Sequence, residues 1–227
     1  MFLFDGPDQA RITILLAHGA GAPMDSPAMT AAARTLAGTG FRVARFEFDY
    51  MAGRRTGTGR VPPPRAEKLN PQYAAAVDAL GAKGPLIIGG KSMGGRVASM
   101  VADELLTARR ISGLLCLGYP FHPPGKPDQP RTGHLAELQT PTLIVQGTRD
   151  DFGSREEVST YKLSPRIDIL WLADGNHDLI PRKSVSGYSA ADHLKTMAEA
   201  VSAWAERVTT QGDRHRLLGA TTSHRRC

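Results

Sequence analysis

A strand, a tight turn and a helix are predicted from Leu86-Ile87-Ile88-Gly89-Gly90-Lys91-Ser92-Met93-Gly94-Gly95-Arg96 and the residues after it. The short apolar run at 86–88 predicts a buried strand. Apolar residues at helical spacing across 93–107 predict a helix with one buried face. Between them, Gly90 to Gly94 matches G-x-S-x-G, in which a serine occupies a strained strand-to-helix turn between glycines. The turn exposes the serine oxygen at a helix N-terminus, so we predict Ser92 as a nucleophile.

The alternation of strand and helix patterns extends in both directions from this stretch. Further strands are predicted at 11–16, 41–48, 111–117, 141–146 and 167–172, and further helices at 27–36, 71–80 and 190–208. The strands between 85 and 145 are almost entirely apolar, as strands covered on both faces are. The pattern predicts an α/β fold with a mostly parallel central sheet and helices on both faces. The Gly-, Arg- and Pro-rich stretch 53–65 predicts a loop, and no inserted segment is long enough for a large lid.

Length and composition limit the class of protein. The chain has 227 residues, of which 41% are hydrophobic and 22% charged, and this composition is typical of a soluble globular protein. We predict one domain over 1–208 and a basic, flexible tail at 209–227. No apolar run approaches the roughly 18 residues that span a bilayer, so we expect no membrane association. The N-terminal residues lack a secretory signal pattern, and only two cysteines occur, so we expect a cytoplasmic protein.

The net charge of +6 comes from two segments. The stretch 51–68 carries five basic residues and one acidic residue, and the tail 209–227 carries four arginines and one aspartate. Charge confined to a loop and a tail is typical of solvated surface, whereas nucleic-acid binding favours a basic face along an element. We therefore expect no nucleic-acid partner.

Two further polar residues follow predicted strands in the order that a Ser-Asp-His hydrolase of the α/β class requires. Asp150 is the first carboxylate after the strand at 141–146, and Asp151 is its competitor for the role of triad acid. His177 follows the strand at 167–172 and is the candidate general base. Ligands of open α/β sheets bind at the carboxyl ends of the strands, where these residues fall. The other histidines are poorer candidates, because they lie in the proline-rich connection, on the last helix or in the tail: His122, His134, His193, His215 and His224.

A glycine-rich turn, His18-Gly19-Ala20-Gly21, follows the first of these predicted strands. In this setting one backbone N–H after the His-Gly pair would donate to an oxyanion, and the N–H of Met93 would be the second donor. We assign the first donor to Ala20, with Gly21 as the alternative. The alternative is a purely structural role, in which the glycines only allow a tight turn after the strand.

Other chemistries lack their motifs. A phosphate-binding P-loop would need glycine where Pro85 stands, and the residues between Pro85 and Gly90 are predicted as strand. The sequence contains no H-E-x-x-H, no paired cysteines and no G-x-G-x-x-G. We therefore expect neither a metal nor another cofactor.

Several segments resemble a known family, the small α/β hydrolases grouped with testis-expressed protein 30 and the hydrolase-like domain of a chromatin acetyltransferase complex subunit. The resemblance covers about 10–208. It is carried by His18–Gly21, Tyr50–Arg65, Gly90–Arg96, Gly118–Pro127 and Gln146–Asp150. The proline-rich fourth segment is far more specific than G-x-S-x-G. The family pattern has proline after the aspartate, where this chain has Asp151. The resemblance implies the fold and the triad, but no substrate.

Two functions are compatible with these features. The first is a serine hydrolase that cleaves a small ester or thioester, with Ser92 attacking, His177 moving the proton and Asp150 orienting the histidine. The arginines of 54–65 follow a strand, and we take Arg54 and Arg55 as candidates for binding a substrate carboxylate or phosphate at the pocket mouth. The second is a non-catalytic interaction module on the same fold. The presence of all three candidate triad residues favours the enzyme.

Overall fold

The computed structural model describes residues 1–55, 57 and 61–221. Their strands are β1 (Phe2–Asp5), β2 (Thr13–Ala17), β3 (Arg42–Phe46), β4 (Leu86–Lys91), β5 (Gly113–Leu117), β6 (Thr142–Gly147) and β7 (Ile167–Leu172). Their α-helices are α1 (Pro27–Ala37), α2 (Asp49–Arg55), α3 (Asn70–Leu80), α4 (Met93–Thr107), α5 (Arg155–Val158), α6 (Lys183–Ser186) and α7 (Ala190–Thr221). Short 3-10 turns lie at Ala66–Leu69 and Gly133–Ala136.

The strands form a single seven-stranded sheet in the order β1-β3-β2-β4-β5-β6-β7. Strands β2 to β7 are parallel to their neighbours, and β1 pairs antiparallel with β3. The predicted fold class is confirmed. Because β2 to β7 point the same way, the loops that follow them meet at one edge of the sheet, where α/β proteins place their ligands.

Both faces of the sheet are covered, as the apolar strand sequences predict. Successive side chains of a strand point to opposite faces. Leu15 and Ala17 of β2 pack in a cluster with Tyr73 of α3 and Val97 of α4. The other face of the same strand packs against α1 and α7 through these residues: Ile14, Leu16, Met29, Ala33, Met197 and Val201. The sheet is thus a rigid platform between two helical layers.

Strand β1 is absent from the sequence-based prediction. It has only four residues, too few for a periodic pattern to identify a strand. It covers the edge of β3, and its Asp5 accepts a hydrogen bond at 2.7 Å from the guanidinium of the buried Arg45. A buried ion pair of this kind is stable only when both partners are present, so Asp5 holds the edge strand in register.

Two predicted boundaries are wrong. The loop predicted at 53–65 begins later, because Gly53 to Arg55 form the last turn of α2. Asp49 in the first turn and two arginines in the last turn both favour that helix through its dipole. Residues 56 and 58–60 of the predicted loop lie outside the described residues.

The last helix continues beyond 208 to Thr221, since no proline interrupts 190–221 and a glycine alone costs only about 1 kcal/mol. Residues 222–227 of the predicted flexible tail lie outside the described part of the chain.

No inserted domain covers the carboxyl edge of the sheet within the described residues. The connection from β5 to β6 is irregular apart from one 3-10 turn, and the connection after β7 carries only the single turn of α6. The predicted absence of a large lid is therefore confirmed for this part of the chain, and the edge is open to ligands.

Candidate active site

Ser92 lies in the turn between β4 and α4 with a strained backbone. Its φ is 50° and its ψ is −117°, a combination that side-chain-bearing residues rarely adopt. Hydrogen bonds hold the turn on both sides: Ser92 N–H donates to the Leu117 carbonyl, and Arg96 N–H donates to the Ser92 carbonyl, each at 3.0 Å. The strain is therefore imposed by the surrounding structure, and it places the serine side chain at the carboxyl edge of the sheet.

The glycines of the motif leave the space that this turn needs. A Cβ at Gly90 would lie 2.5 Å from the Ala17 carbonyl oxygen, and a Cβ at Gly94 would lie 2.6 Å from that of His18. Backbone atoms cannot yield as a flexible side chain can. Both positions therefore exclude larger residues, and the start of α4 packs directly against the loop after β2.

His177 reaches Ser92 from the loop after β7. Its Nε2 lies 2.8 Å from Ser92 Oγ, and its Nδ1 lies 2.9 and 3.0 Å from the two carboxylate oxygens of Asp150. An ionised carboxylate only accepts hydrogen bonds, so Nδ1 carries the proton and donates it. This tautomer leaves Nε2 free to accept the hydroxyl proton of Ser92. The three predicted residues thus form one continuous chain of hydrogen bonds.

Asp150 is buried, with 1% of its surface exposed, and its oxygens are held by further donors. The Gln146 side-chain amide donates at 2.9 Å, and the Phe152 backbone N–H donates at 2.8 Å. The neighbouring Asp151 is exposed. Of the two carboxylates left open by the sequence, the structure brings Asp150 and not Asp151 to the histidine.

A cavity of about 590 Å³ lies beside Ser92. Ala20 and Met93, the two predicted oxyanion donors, line it together with Ser92. Met93 is the first residue of α4, so its N–H has no acceptor within the helix. The alternative donor, Gly21, is exposed and is not among the described residues that line the cavity. The arrangement favours Ala20 over Gly21.

His18 braces the loop that carries Ala20. Its Nε2 accepts the Phe48 backbone N–H at 3.2 Å, and its Nδ1 lies 2.6 Å from the Gly19 carbonyl oxygen. One ring nitrogen thus accepts and the other donates, as in a neutral imidazole. The Tyr50 hydroxyl adds a hydrogen bond to the Ala20 carbonyl at 3.0 Å. These contacts fix the loop on which the proposed oxyanion donor sits.

Arg54 and Arg55, predicted to bind an anionic substrate, do not line this cavity in the described structure. The Arg55 guanidinium is held by the carboxylates of Asp25 and Glu47. Arg54 donates to the Val61 carbonyl and lies over the Tyr50 ring. The prediction took the arginines nearest to a strand end in sequence, but α2 carries them away from the cavity.

Two residues that the sequence analysis did not single out contact the histidine. The Phe152 ring stacks on His177, with ring centroids 4.1 Å apart, and so restricts the imidazole to the plane that faces Ser92. The Lys91 ammonium donates to the His177 carbonyl at 2.6 Å and pairs with Asp178 at 3.3 Å. Lys91 directly precedes the candidate nucleophile. Its side chain therefore links the turn of Ser92 to the loop of His177.

For the serine hydrolase predicted from the sequence, we expect Lys91→Met to lower kcat about 10- to 100-fold, because the His177 loop loses the donor that fixes its backbone. Methionine keeps the apolar stem and the approximate length of lysine. Steady-state kinetics with a short-chain aryl ester, alongside thermal unfolding, would measure the effect. A kcat equal to that of the wild type in a folded variant would rule out this positioning role.

Burial lowers the pKa of His18 below its ordinary value of 6.5, and burial together with the nearby Arg96 lowers the pKa of His134. Both imidazoles therefore bind protons more readily in the unfolded chain than in the folded one. As the pH falls below about 6.5, the free energy of unfolding should decrease, by at most about 1.4 kcal/mol per pH unit for each histidine.

Denaturant unfolding at pH 7.5 and 5.5 tests this linkage. His134 hydrogen-bonds to Ser99 and to none of Ser92, Asp150 and His177 in the described residues, so His134→Gln can be compared with the wild type without changing the candidate triad. We expect a smaller loss of stability on acidification in the variant. An equal or larger loss would show that His134 does not contribute.

The fold, the open carboxyl edge and the serine at a strained turn define the class of α/β hydrolases. Residues 10–206 match the sequence profile of the alpha/beta hydrolase domain family, and the chain belongs to that family. The match covers most of the chain, so the family assignment applies to the whole fold described above.

Solved structures with similar folds include several hydrolases. One, described as an α/β serine hydrolase without a lid from Xanthomonas campestris, has a TM-score of 0.68 at 20% identity, covering 89% of this chain and 88% of its own. Est1E from Butyrivibrio proteoclasticus, solved with ferulic acid, has a TM-score of 0.65 at 17% identity, covering 92% and 94%. Dienelactone hydrolase from Anabaena variabilis has a TM-score of 0.64 at 19% identity, covering 92% and 91%. At these identities the similarity shows the fold alone.

Among the helices of the described residues, none combines the length and the apolar character needed to cross a membrane.

Proposed function

We propose that this hydrolase-family chain is a serine esterase that cleaves small esters or thioesters through an acyl-enzyme. The single observation that carries the proposal is the hydrogen-bonded chain from Ser92 through His177 to the buried Asp150. A serine hydroxyl is a weak nucleophile at its ordinary pKa, and an adjacent, oriented base activates it. The names of two proteins of similar fold, a lidless serine hydrolase and an esterase domain, point in the same direction.

The acylation half of the reaction follows from the positions of these atoms. Ser92 Oγ forms a bond to the carbonyl carbon of the ester, and its proton moves to His177 Nε2. Asp150 stabilises the imidazolium that results. The oxyanion of the tetrahedral intermediate accepts hydrogen bonds from the backbone N–H groups of Ala20 and Met93. His177 then gives its proton to the departing oxygen or sulfur as the bond to the leaving group breaks.

The deacylation half repeats these roles with water. His177 takes a proton from a water molecule as its oxygen bonds to the acyl carbon. The second tetrahedral intermediate uses the same two backbone donors. His177 then protonates Ser92 Oγ as the acyl bond breaks, which releases a carboxylic acid and restores the enzyme. No cofactor enters either half.

The absence of a covering lid in the described residues favours small or extended substrates over long acyl chains that need an enclosed tunnel. The site between Phe152, Pro120 and the start of α4 is open to solvent on one side. We propose a small-molecule ester as the partner of this site. A reducing compartment such as the cytoplasm is part of the proposal, because Cys116 is a free, buried thiol.

Hydrolysis of short-chain 4-nitrophenyl esters and of the matching thioesters tests the proposal. If an acyl-enzyme forms, added hydroxylamine competes with water for it. Esters that share one acyl group should then give the same ratio of hydroxamate to acid, whatever their leaving group. His177→Ala should remove the activity. If folded wild-type protein hydrolyses neither substrate class, the alternative predicted from the sequence, a non-catalytic interaction module on the same fold, would replace the esterase.

A further inference from the structure

The cavity beside Ser92 carries more positive than negative charge. Three arginines and one carboxylate are the charged residues among the described residues that line it: Arg65, Arg96, Arg131 and Glu67. At neutral pH this set has an excess of two positive charges next to the candidate nucleophile. A cleft lined by one sign of charge raises the local concentration of ligands of the opposite sign.

One of the three guanidinium groups has its counterion within the protein. Arg96 Nη2 lies 2.5 Å from a Glu67 carboxylate oxygen, and 20% of the Arg96 side chain is exposed. The Nε of Arg96 is buried without a hydrogen-bond partner. Glu67 therefore offsets one of the three positive charges that line the cavity, and one donor of Arg96 stays unsatisfied.

Arg131 has no carboxylate in ion-pair contact within the described residues, and the Glu67 charge acts on its pKa only from a greater distance. Its side chain is half-buried, and within the described residues it makes no ion pair and no hydrogen bond. Burial and the nearby Arg96 both lower the pKa of Arg131, as a cation placed close to another cation requires. Its guanidinium therefore stands beside a like charge and is free to bind an oppositely charged ligand that enters the cavity.

The backbone of Arg131 is nevertheless held firmly. Its N–H donates to the Phe121 carbonyl at 2.6 Å, and its carbonyl accepts from the Tyr119 hydroxyl at 3.2 Å. Tyr119 and Phe121 are both buried. The side chain of Arg131 thus projects from an anchored segment, which is the condition for pre-organised recognition.

We propose that the preferred substrates are esters or thioesters whose non-reacting end carries a carboxylate or a phosphate, bound by Arg131 with Arg96 beside it. This inference rests on the esterase function proposed above and names its substrate class. A guanidinium binds either oxyanion through two parallel hydrogen bonds, which a neutral substrate group cannot offer. The exposed Arg65 at the rim adds attraction at longer range.

Matched ester pairs test the inference and show where the anion lies. On the alcohol side, phenyl acetates carrying a meta carboxylate or a meta phosphate are compared with the meta carboxamide. On the acyl side, the 4-nitrophenyl half-ester of glutaric acid is compared with 4-nitrophenyl valerate. The measured quantity is the ratio of kcat/KM for the anionic ester to that for the neutral ester. Comparing ratios between variants cancels differences in intrinsic reactivity.

We expect the wild-type ratio to exceed ten for at least one pair. Arg131→Gln should lower that ratio about 10- to 100-fold, the range for loss of a hydrogen-bonded charge pair. Arg131→Lys should give an intermediate ratio, since lysine keeps the positive charge but cannot form the two parallel hydrogen bonds of a guanidinium. Arg166→Gln is the matched control, because Arg166 is exposed at the opposite, amino end of β7. It removes one positive charge and should leave the ratio unchanged.

The outcomes separate this inference from the proposed function. Hydrolysis of neutral esters with a ratio near one, or a ratio unchanged in Arg131→Gln, would overturn the inference and leave the esterase intact. If no ester is hydrolysed, the proposed esterase function is wrong. Saturation-transfer NMR with 3-hydroxybenzoate and 3-hydroxybenzamide then tests whether Arg131 still binds an anion. Selective binding of the benzoate that is lost in Arg131→Gln would support the site, and equal signals from both compounds would overturn it.

Discussion

Ser92→Ala is expected to lower kcat for ester hydrolysis by about 10⁶, the effect that removal of a nucleophilic serine has in a serine protease. Without Oγ no acyl-enzyme forms, and only binding and the oxyanion donors remain. Stability should change by about 1 kcal/mol or less, since one partly buried hydrogen bond to His177 is lost. Single-turnover kinetics and thermal unfolding on the same preparation measure both quantities.

The chain supplies a matched control for this variant. Ser99 of α4 also lies 2.8 Å from a histidine nitrogen, Nε2 of His134. Ser99, however, is in the middle of a regular helix, and His134 has no carboxylate hydrogen-bonded to it among the described residues. Ser99→Ala should therefore keep its activity. A similar loss in both variants would show that the activity does not depend on the strained turn.

Asp150→Asn is expected to lower kcat by about 10⁴, the size of effect measured for this exchange in a Ser-His-Asp triad. The Asp150 oxygens already accept hydrogen bonds from Gln146 Nε2 and from the Phe152 backbone N–H. An asparagine there would turn its oxygen to one of these donors and its amide toward the histidine. His177 Nδ1 would then accept, Nε2 would carry the proton, and Ser92 would lose its base.

Asp151→Asn is the control, because it makes the same replacement of a carboxylate by an amide at the adjacent, exposed residue. Its kcat should stay within about twofold of the wild type, as most exposed substitutions have small effects. If Asp151→Asn were the slow variant and Asp150→Asn the active one, the assignment of the acid would be reversed.

The sequence alone places the three candidate triad residues near one another, because each follows a predicted strand. Ser92, Asp150 and His177 each follow an apolar strand, and parallel strands bring the residues after their carboxyl ends to one edge. The choice between Asp150 and Asp151 needed the structure, because neighbouring residues in a turn point in different directions. Lys91 illustrates the same limit, since the loop that it reaches begins more than 80 residues later in the chain.

The side chains of the cavity were less predictable. The prediction rested on the arginines of 54–65 following a strand, and of these Arg65 lines the cavity whereas Arg54 and Arg55 do not. A short helix, α2, instead directs Arg55 to Asp25 and Glu47. Arg96 lies one turn into α4 and Arg131 in a long irregular connection, and neither position follows from periodicity. Which side chain of an irregular loop faces a cavity is decided by the path of the loop, and periodicity does not predict that path.

Intact-mass measurement after incubation with a fluorophosphonate probe tests whether Ser92 is an activated nucleophile, because the probe reports such a serine without assuming a substrate. In the expected reaction Ser92 Oγ bonds to phosphorus and fluoride leaves. We expect one adduct on the folded wild type, none on Ser92→Ala and none on heat-denatured protein. Folded wild type without an adduct, or an adduct that persists in Ser92→Ala, would contradict the role of Ser92 as the nucleophile.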